Sequence, residues 1–365
     1  MPVAHHLPKP RDLVRFAPHN ESHWIALRAG LSVGIPLAVL AATGRTEWSM
    51  YAAFGAFTAI FGRTDAHGRR VRTQLAAASM QVLAVVAGTA VGAYGAGAWA
   101  LLGASAAVAV VASLVGDAAG WRPAGPMFAV FAVASIAGVP ATTADLVPAL
   151  LVSASVAALA ILIGLAGLVN PRRRDVPRAT SAAGGSLTTV MGDPTALARA
   201  ARYAAAVLIA GSFATVVGVG HPSWAMVAAV VPLASADTPR GSLRAIQRVV
   251  GTGLGLVLAG GLLGLGTSGW VLVGLVIVLQ ALAEMFVARN YGFAMVFITP
   301  LALMMSTVVA PVPAGPLLRD RAIETVVGAV VGLALTLASS EHRAALVRTK
   351  VPAAPSGRAN TVPGT

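Results

Sequence analysis

Polar residues are so sparse in this chain that its organisation is read from where the apolar runs break. A helix needs about 20 apolar residues to cross a hydrocarbon core of about 30 Å. Runs near that length stand at 25–42, 46–62, 75–97, 99–116, 124–140 and 146–169, and again at 203–219, 222–236, 246–266, 269–288, 291–311 and 317–339. Several are short for a full crossing, and several are parted only by a glycine, a proline or one charge. The pattern predicts an all-α, polytopic integral membrane protein of about twelve transmembrane helices in two similar six-helix halves.

The halves echo one another locally. "WSMYAA" at 48–53 and "WAMVAA" at 224–229 share W-x-M-x-A-A, and each follows an Ala/Gly-rich run entered by an arginine, Arg28 or Arg202. A G-T-x-x-G follows in both, at 88–92 and 251–255, but the second Trp-to-Gly interval is thirteen residues shorter, so this match reads equally well as chance. Six crossings return the chain to its starting side, which makes the halves parallel repeats, and transporters of that kind place their substrate at the repeat interface. The expected organisation is a cytoplasmic N-terminal segment 1–24, a first membrane half 25–169, a Pro/Gly/Ser/Thr-rich cytoplasmic linker 170–198, a second half 199–340 and a polar, disordered tail 341–365.

Composition supports the membrane class: 57% of residues are hydrophobic and 11% charged, against about a quarter charged in soluble domains. The formal charge of +13 could suggest nucleic acid, yet its placement argues otherwise. Arg63, Arg69, Arg70 and Arg72 follow the second run; Arg172, Arg173, Arg174 and Arg178 the sixth; Arg240, Arg244 and Arg248 the eighth; Arg289 the tenth; His342, Arg343, Arg348 and Lys350 the twelfth. With a cytoplasmic N-terminus all of them fall inside, as the positive-inside rule requires. Arg45, Arg319 and Arg321 are exceptions on the opposite side. A nucleic-acid face would need basic residues interleaved with aromatics, which is not the pattern here.

Much chemistry is excluded. The two lysines, Lys9 and Lys350, stand outside any G-x-x-x-x-G-K-[ST], so there is no phosphate-binding loop. The seven histidines lack metal-ligand spacing, and with no cysteine there is neither a disulfide nor a thiolate site. Within the spans carboxylates approach one another only at Asp320 and Glu324. The chain reads as a transporter, channel or structural membrane protein rather than an enzyme, without cofactor or metal. Residues 25–42 read as a first structural helix, since a cleaved signal would have no later echo.

Individual residues carry two readings each. Trp48 and Trp224 follow short polar turns and read first as interfacial belt anchors, with substrate stacking as the alternative. Pro36, Pro232 and Pro300 interrupt apolar runs, which marks broken helices that line sites, or the ordinary tolerance of proline in membranes. Arg28 and Arg202 are placed to extend their heads to the interface. Glu284 lies one turn after Gln280 and five residues before Arg289: it is a proton or substrate-path group, or one end of a structural ion pair. Glu324 shares that ambiguity, and Asp237 is expected to cap locally.

"HPSWAMVAAVVPL" (221–233), "RGSLRAIQRVVGTGLG" (240–255) and "AEMFVARNYGFAMVFITPLAL" (283–303) resemble the fusaric acid resistance protein-like family, which includes bacterial aromatic acid exporters. The resemblance covers 199–340 directly and 24–169 through the internal repeat. It implies a multi-pass protein of the bacterial cytoplasmic membrane, with cytoplasmic termini, that exports small aromatic or other organic acids. Many members insert a cytoplasmic domain between the halves, where this chain has a short linker. The expected substrate path comprises Trp224, Pro232, Glu284, Tyr291, Thr299 and Pro300. Arg240, Arg244 and Arg248 form a basic cytoplasmic rim, faced across the repeat axis by Arg69 and Arg72. Lipids, a small organic acid and a coupling proton are the expected partners, nucleic acid is not, and homo-oligomerisation is left open; a passive organic-anion channel is the alternative function. Because the chain is cysteine-free, single cysteines placed in 170–198 test the orientation. An impermeant thiol reagent is expected to leave them unlabelled in intact cells, and labelling inverts the topology.

Overall fold

The computed structural model describes residues 9–18, 22–62, 65–166, 184–235, 237–266, 269–309 and 313–350. Twelve helices carry the fold. The first half contains α1 (Ser22–Ala42), α2 (Ser49–Ala56, continued by a 3-10 turn Phe57–Ile60), α3 (His67–Ala93), α4 (Gly97–Ala119), α5 (Met127–Ala137) and α6 (Leu146–Leu165). The second contains α7 (Pro194–Val217), α8 (Pro222–Leu233), α9 (Thr238–Gly264), α10 (Gly269–Val287), α11 (Tyr291–Val309) and α12 (Ala314–Lys350). No strand occurs among the described residues.

Eight helices, α1, α3, α4, α6, α7, α9, α10 and α12, are long and apolar enough to cross a membrane. The other four do not reach that measure, and they are the second and fifth of each half. At about 1.5 Å per residue, the 12 residues of α8 cover only about 18 Å. The sequence sets these lengths locally. Helix α8 starts with Pro222 at its first turn and stops just after Pro232. Helix α5 is bounded by Pro126 and Gly138, and α11 has Pro300 inside it. Proline removes a backbone donor and ends or kinks a helix, which bounds α5 and α8 and interrupts α11.

The same packing scheme recurs in both halves. The third helix packs on the fifth and sixth, the second on the sixth, and the fourth on the fifth. Between halves the partners are exchanged: α1 packs on α10 as α7 packs on α4, and α8 on α5 as α2 on α11. That exchange is a two-fold relation between the halves. It departs from symmetry at one place, since α3 packs along α4 while α9 and α10 make no comparable contact.

The two G-T-x-x-G segments both pack on the fifth helix of their half but at different levels, in the last two turns of α3 and in the middle of α9. A Cβ on Gly88 would lie 2.7 Å from the Val133 carbonyl oxygen, and one on Gly92 2.8 Å from that of Val139. In the second half Gly251 abuts the Gly292 carbonyl, and a Cβ on Gly255 would lie 2.7 Å from the Thr299 Cβ. In each half the third helix thus lays a glycine face on the backbone of the fifth. Gly328 and Gly332 of α12 do the same against Ala225 and Ala229 of α8. Lipid supplies no hydrophobic drive between helices, so close backbone approach through small residues provides the van der Waals contact that holds them.

Two expected boundaries shift. Asp193 accepts from the Thr195 N–H with Pro194 at the first helical position, a strong start signal, so α7 begins inside the expected linker. Helix α12 continues to Lys350, past the boundary at 340, while 351–365 and most of the linker, 167–183, lie outside the described residues. The N-terminal segment is docked. Ala17 and Arg289 exchange hydrogen bonds, Ala17 N–H to the Arg289 carbonyl at 2.9 Å and Arg289 Nε to the Ala17 carbonyl at 3.2 Å. Phe16 meets the edge of Phe293 at 5.5 Å.

The glycine contacts generate a paired test. Gly251→Ala should destabilise the detergent-solubilised protein by about 1–3 kcal/mol through overpacking, read as a lowered thermal unfolding midpoint. Gly253→Ala, whose Cβ meets nothing within 4 Å, should hold or raise it. Equal effects would detach the G-T-x-x-G segments from helix packing.

Candidate functional site

A cavity of about 470 Å³ lies between the halves. The short helices form much of its wall: Phe57 follows α2, Met127, Phe128 and Phe131 come from α5, Val227 and Val231 from α8, and Tyr291, Met295 and Ile298 from α11. Side chains rather than scaffold distinguish its two sides. The first half supplies an aromatic face, with Phe57 and Phe128 edge to face at 5.2 Å and Phe57 and Phe131 stacked at 6.5 Å. Its charge comes mostly from the second half, as Arg240, Arg244 and Arg248 on α9, Glu284 on α10 and Arg321 on α12, with Arg122 the first half's contribution.

The three arginines of α9 are four residues apart and therefore share one helix face. Asp237 caps that helix, accepting from the Arg240 N–H at 2.8 Å, which starts the row at the mouth. Burial deepens along it: Arg240 and Arg244 are exposed, Arg248 is 4% exposed. Arg244 lies 5.9 Å from the centre of the Tyr291 ring, and Arg248 donates to the Tyr291 hydroxyl at 2.7 Å. At the inner end Arg321 is 2% exposed and rests on the Trp224 indole, 4.8 Å from its centroid. Trp224 in turn stacks on the His221 imidazole at 4.7 Å and 15°.

Behind Arg321 the turn leading into α8 is tied to α12 by two buried carboxylates. Asp320 accepts from the Gly220 N–H at 3.2 Å and pairs with Arg319 at 3.1 Å. Glu324 accepts from the His221 N–H at 2.8 Å through Oε1, while its Oε2 has no hydrogen-bond partner. The turn fits because residue 220 is glycine: a Cβ there would stand 2.7 Å from the Asp320 carboxylate. A second, smaller chamber of about 90 Å³ adjoins the cavity and is lined by Val33, Met50, Phe54 and Trp224 among others. Phe57, Phe131, Gln280, Ile298, Leu301 and Ala302 border both.

The residues expected on the path are distributed unevenly. Glu284 and Tyr291 line the large cavity, and Trp224 lines the small chamber. Pro232 is buried at the end of α8 against Gly241 and Gly332, and Thr299 is buried against Gly255; neither, nor Pro300, borders a cavity. At 2% exposure Trp224 is no interfacial belt anchor. The facing basic rows are also not formed. Arg69 lies 3.9 Å from Asp65, and Arg72 shares an exposed helix face with Leu75. Their neighbour Arg70 is buried and donates to the carbonyls of Gly62, Asp65 and Gly164, which neutralises backbone ends of the first half. Arg289, the expected ion partner of Glu284, instead binds the Ala17 carbonyl and lies over Phe16 and Phe286.

Arg122, Arg321 and the three phenylalanines escaped the sequence reading. For Arg321 a signal existed, because it was one of three arginines that break the positive-inside asymmetry. The other two, Arg45 and Arg319, are more than half exposed beside carboxylates, which leaves Arg321 as the exception that requires an interior role. The phenylalanines gave no signal, since aromatic side chains in an apolar run are the norm.

Glu324 sets a further expectation. Glu324→Ala leaves the buried His221 N–H without an acceptor and opens a void, costing about 2–4 kcal/mol. Glu324→Gln keeps an oxygen in place, so its thermal midpoint should stay near that of the wild type while the alanine variant's falls. Equal midpoints for the alanine and wild-type proteins would remove the latch from the structure.

Residues 207–335 match the family model described as fusaric acid resistance protein-like. A stretch of 148 residues, 39% of this chain, is 32% identical to the uncharacterized membrane protein YvaC of Bacillus subtilis (strain 168). That stretch spans 22% of the relative's own length. No solved structure matches. The helices that bring the row of arginines, the glutamate and the tyrosine to the cavity, α7 to α12, are therefore similar as a unit to the fusaric acid resistance protein-like membrane proteins.

Proposed function

We propose that this protein exports small organic acids, aromatic carboxylates among them, across the cytoplasmic membrane, with proton coupling. The observation that carries the reading is the two-sided cavity, in which a row of arginines that grows more buried with depth faces a wall of phenylalanines. Such a surface complements a molecule with an anionic head and an apolar ring. The excess of basic residues on the same side as Arg240 supports a cytoplasmic mouth. There, exposed arginines raise the local concentration of anions within about one Debye length, about 8 Å at physiological salt.

A carrier is favoured over an open pore by Glu284, which is buried, borders the cavity in the last turn of α10 and supplies a carboxyl group able to exchange a proton.

Export is tested by the accumulation of labelled benzoate in cells with and without the protein. The expected result is lower accumulation with the protein, abolished by a protonophore. Glu284→Gln should remove the protonophore-sensitive part at unchanged protein level, since the amide cannot exchange a proton. Arg240→Gln with Arg244→Gln should raise the KM for benzoate several-fold at low salt, by about as much as screening removes at high salt. Benzoate levels unaffected by the protein would refute the reading.

A further inference from the structure

We propose that the inner end of the cavity is a carboxylate-binding subsite, in which Arg248, Tyr291 and Arg321 receive the anionic head. The inference rests on the transport reading and deepens it, by naming where the anionic head is held.

Two guanidinium groups are held inside the protein there without ion pairs. Arg248 and Arg321 are 4% and 2% exposed, each leaves its Nε without a hydrogen-bond partner, and neither has a carboxylate within salt-bridge distance among the described residues. Taking such ions out of water costs several kcal/mol each unless they are compensated. Their surroundings fix them as donors aimed at an absent partner. The Arg248 guanidinium is anchored at one end by the Tyr291 hydroxyl, whose own proton remains available. The Arg321 plane lies on Trp224, itself held against His221. Preorganised, planar guanidinium groups suit the two oxygens of a carboxylate.

The nearby carboxylates are engaged elsewhere: Asp320 pairs with Arg319, and Glu324, one helical turn from Arg321, is fully buried with one oxygen on the His221 N–H. The phenylalanine wall of the same cavity then receives the ring.

The test is titration of the detergent-purified, full-length protein with benzoate and the neutral isostere benzamide. Arg248→Gln and Arg321→Gln should each weaken benzoate about 10- to 100-fold, the range for a lost charge-assisted bond, and leave benzamide unchanged. Unchanged benzamide binding shows that each variant is folded. Benzoate binding that is indifferent to both arginine replacements, or an equal loss of benzoate and benzamide, overturns the subsite even where cells still export benzoate. No benzoate binding to the wild-type protein together with no export refutes the transport reading itself.

Discussion

Backbone against backbone is the contact on which this bundle depends. In water, two helices are driven together by the apolar surface they hide; in lipid that drive is absent, and attraction must come from how closely the atoms fit. The glycines at 88 and 92 and at 251 and 255 bring the third helix of each half onto the carbonyls of the fifth. The fifth helix, with the second, then forms the cavity wall. A side chain at any of these positions would displace α5 or α11 and with it Phe131 or Tyr291, so a packing constraint far from any charge decides where the charges face.

A duplicated scaffold with divided labour follows from this. The two halves pack alike and exchange equivalent partners across their interface, yet one presents phenylalanines and the other arginines to the shared cavity. An exact repeat would place like charges opposite one another across the axis, which costs several kcal/mol at low dielectric. Divergence removes that repulsion and yields an amphipathic space. The first half's own basic residues are retained for architecture, as Arg70 shows by holding three carbonyls.

The inner end of the cavity joins binding to conformation. Arg321, Asp320 and Glu324 lie on one stretch of α12, and the two carboxylates hold the turn at 220–221 from which α8 starts. Trp224, under Arg321, also lines the small adjoining chamber. An anion that draws Arg321 toward the cavity therefore acts on the helix whose neighbouring residues fasten the turn before α8. No separate signalling element is needed, because the same turn of helix carries both groups.

How much of this was legible in the sequence can be argued residue by residue. Apolar run lengths and the sidedness of arginine fixed the membrane class and the pairing of halves, because the hydrocarbon core acts on every residue independently of its partners. The arginine row on α9 was legible too, since spacing by four determines a helix face whatever that face meets. The G-T-x-x-G match could not be settled from spacing: both segments pack on a fifth helix, but at different levels of α3 and α9, so the shared motif reflects a shared way of packing rather than one repeated position. Which arginines reach the cavity was likewise a tertiary decision: Arg69 and Arg72 have the same composition signal as Arg244 and Arg248, but α3 packs along α4 while α9 is left free of α10. Trp224, read as an interfacial anchor, became the floor beneath Arg321, because α8 is too short to cross and its first turn lies within the protein. The sequence by itself determined the solvent of each segment, and the three-dimensional packing decided which polar groups share an interior, since that depends on helices brought together from distant parts of the chain.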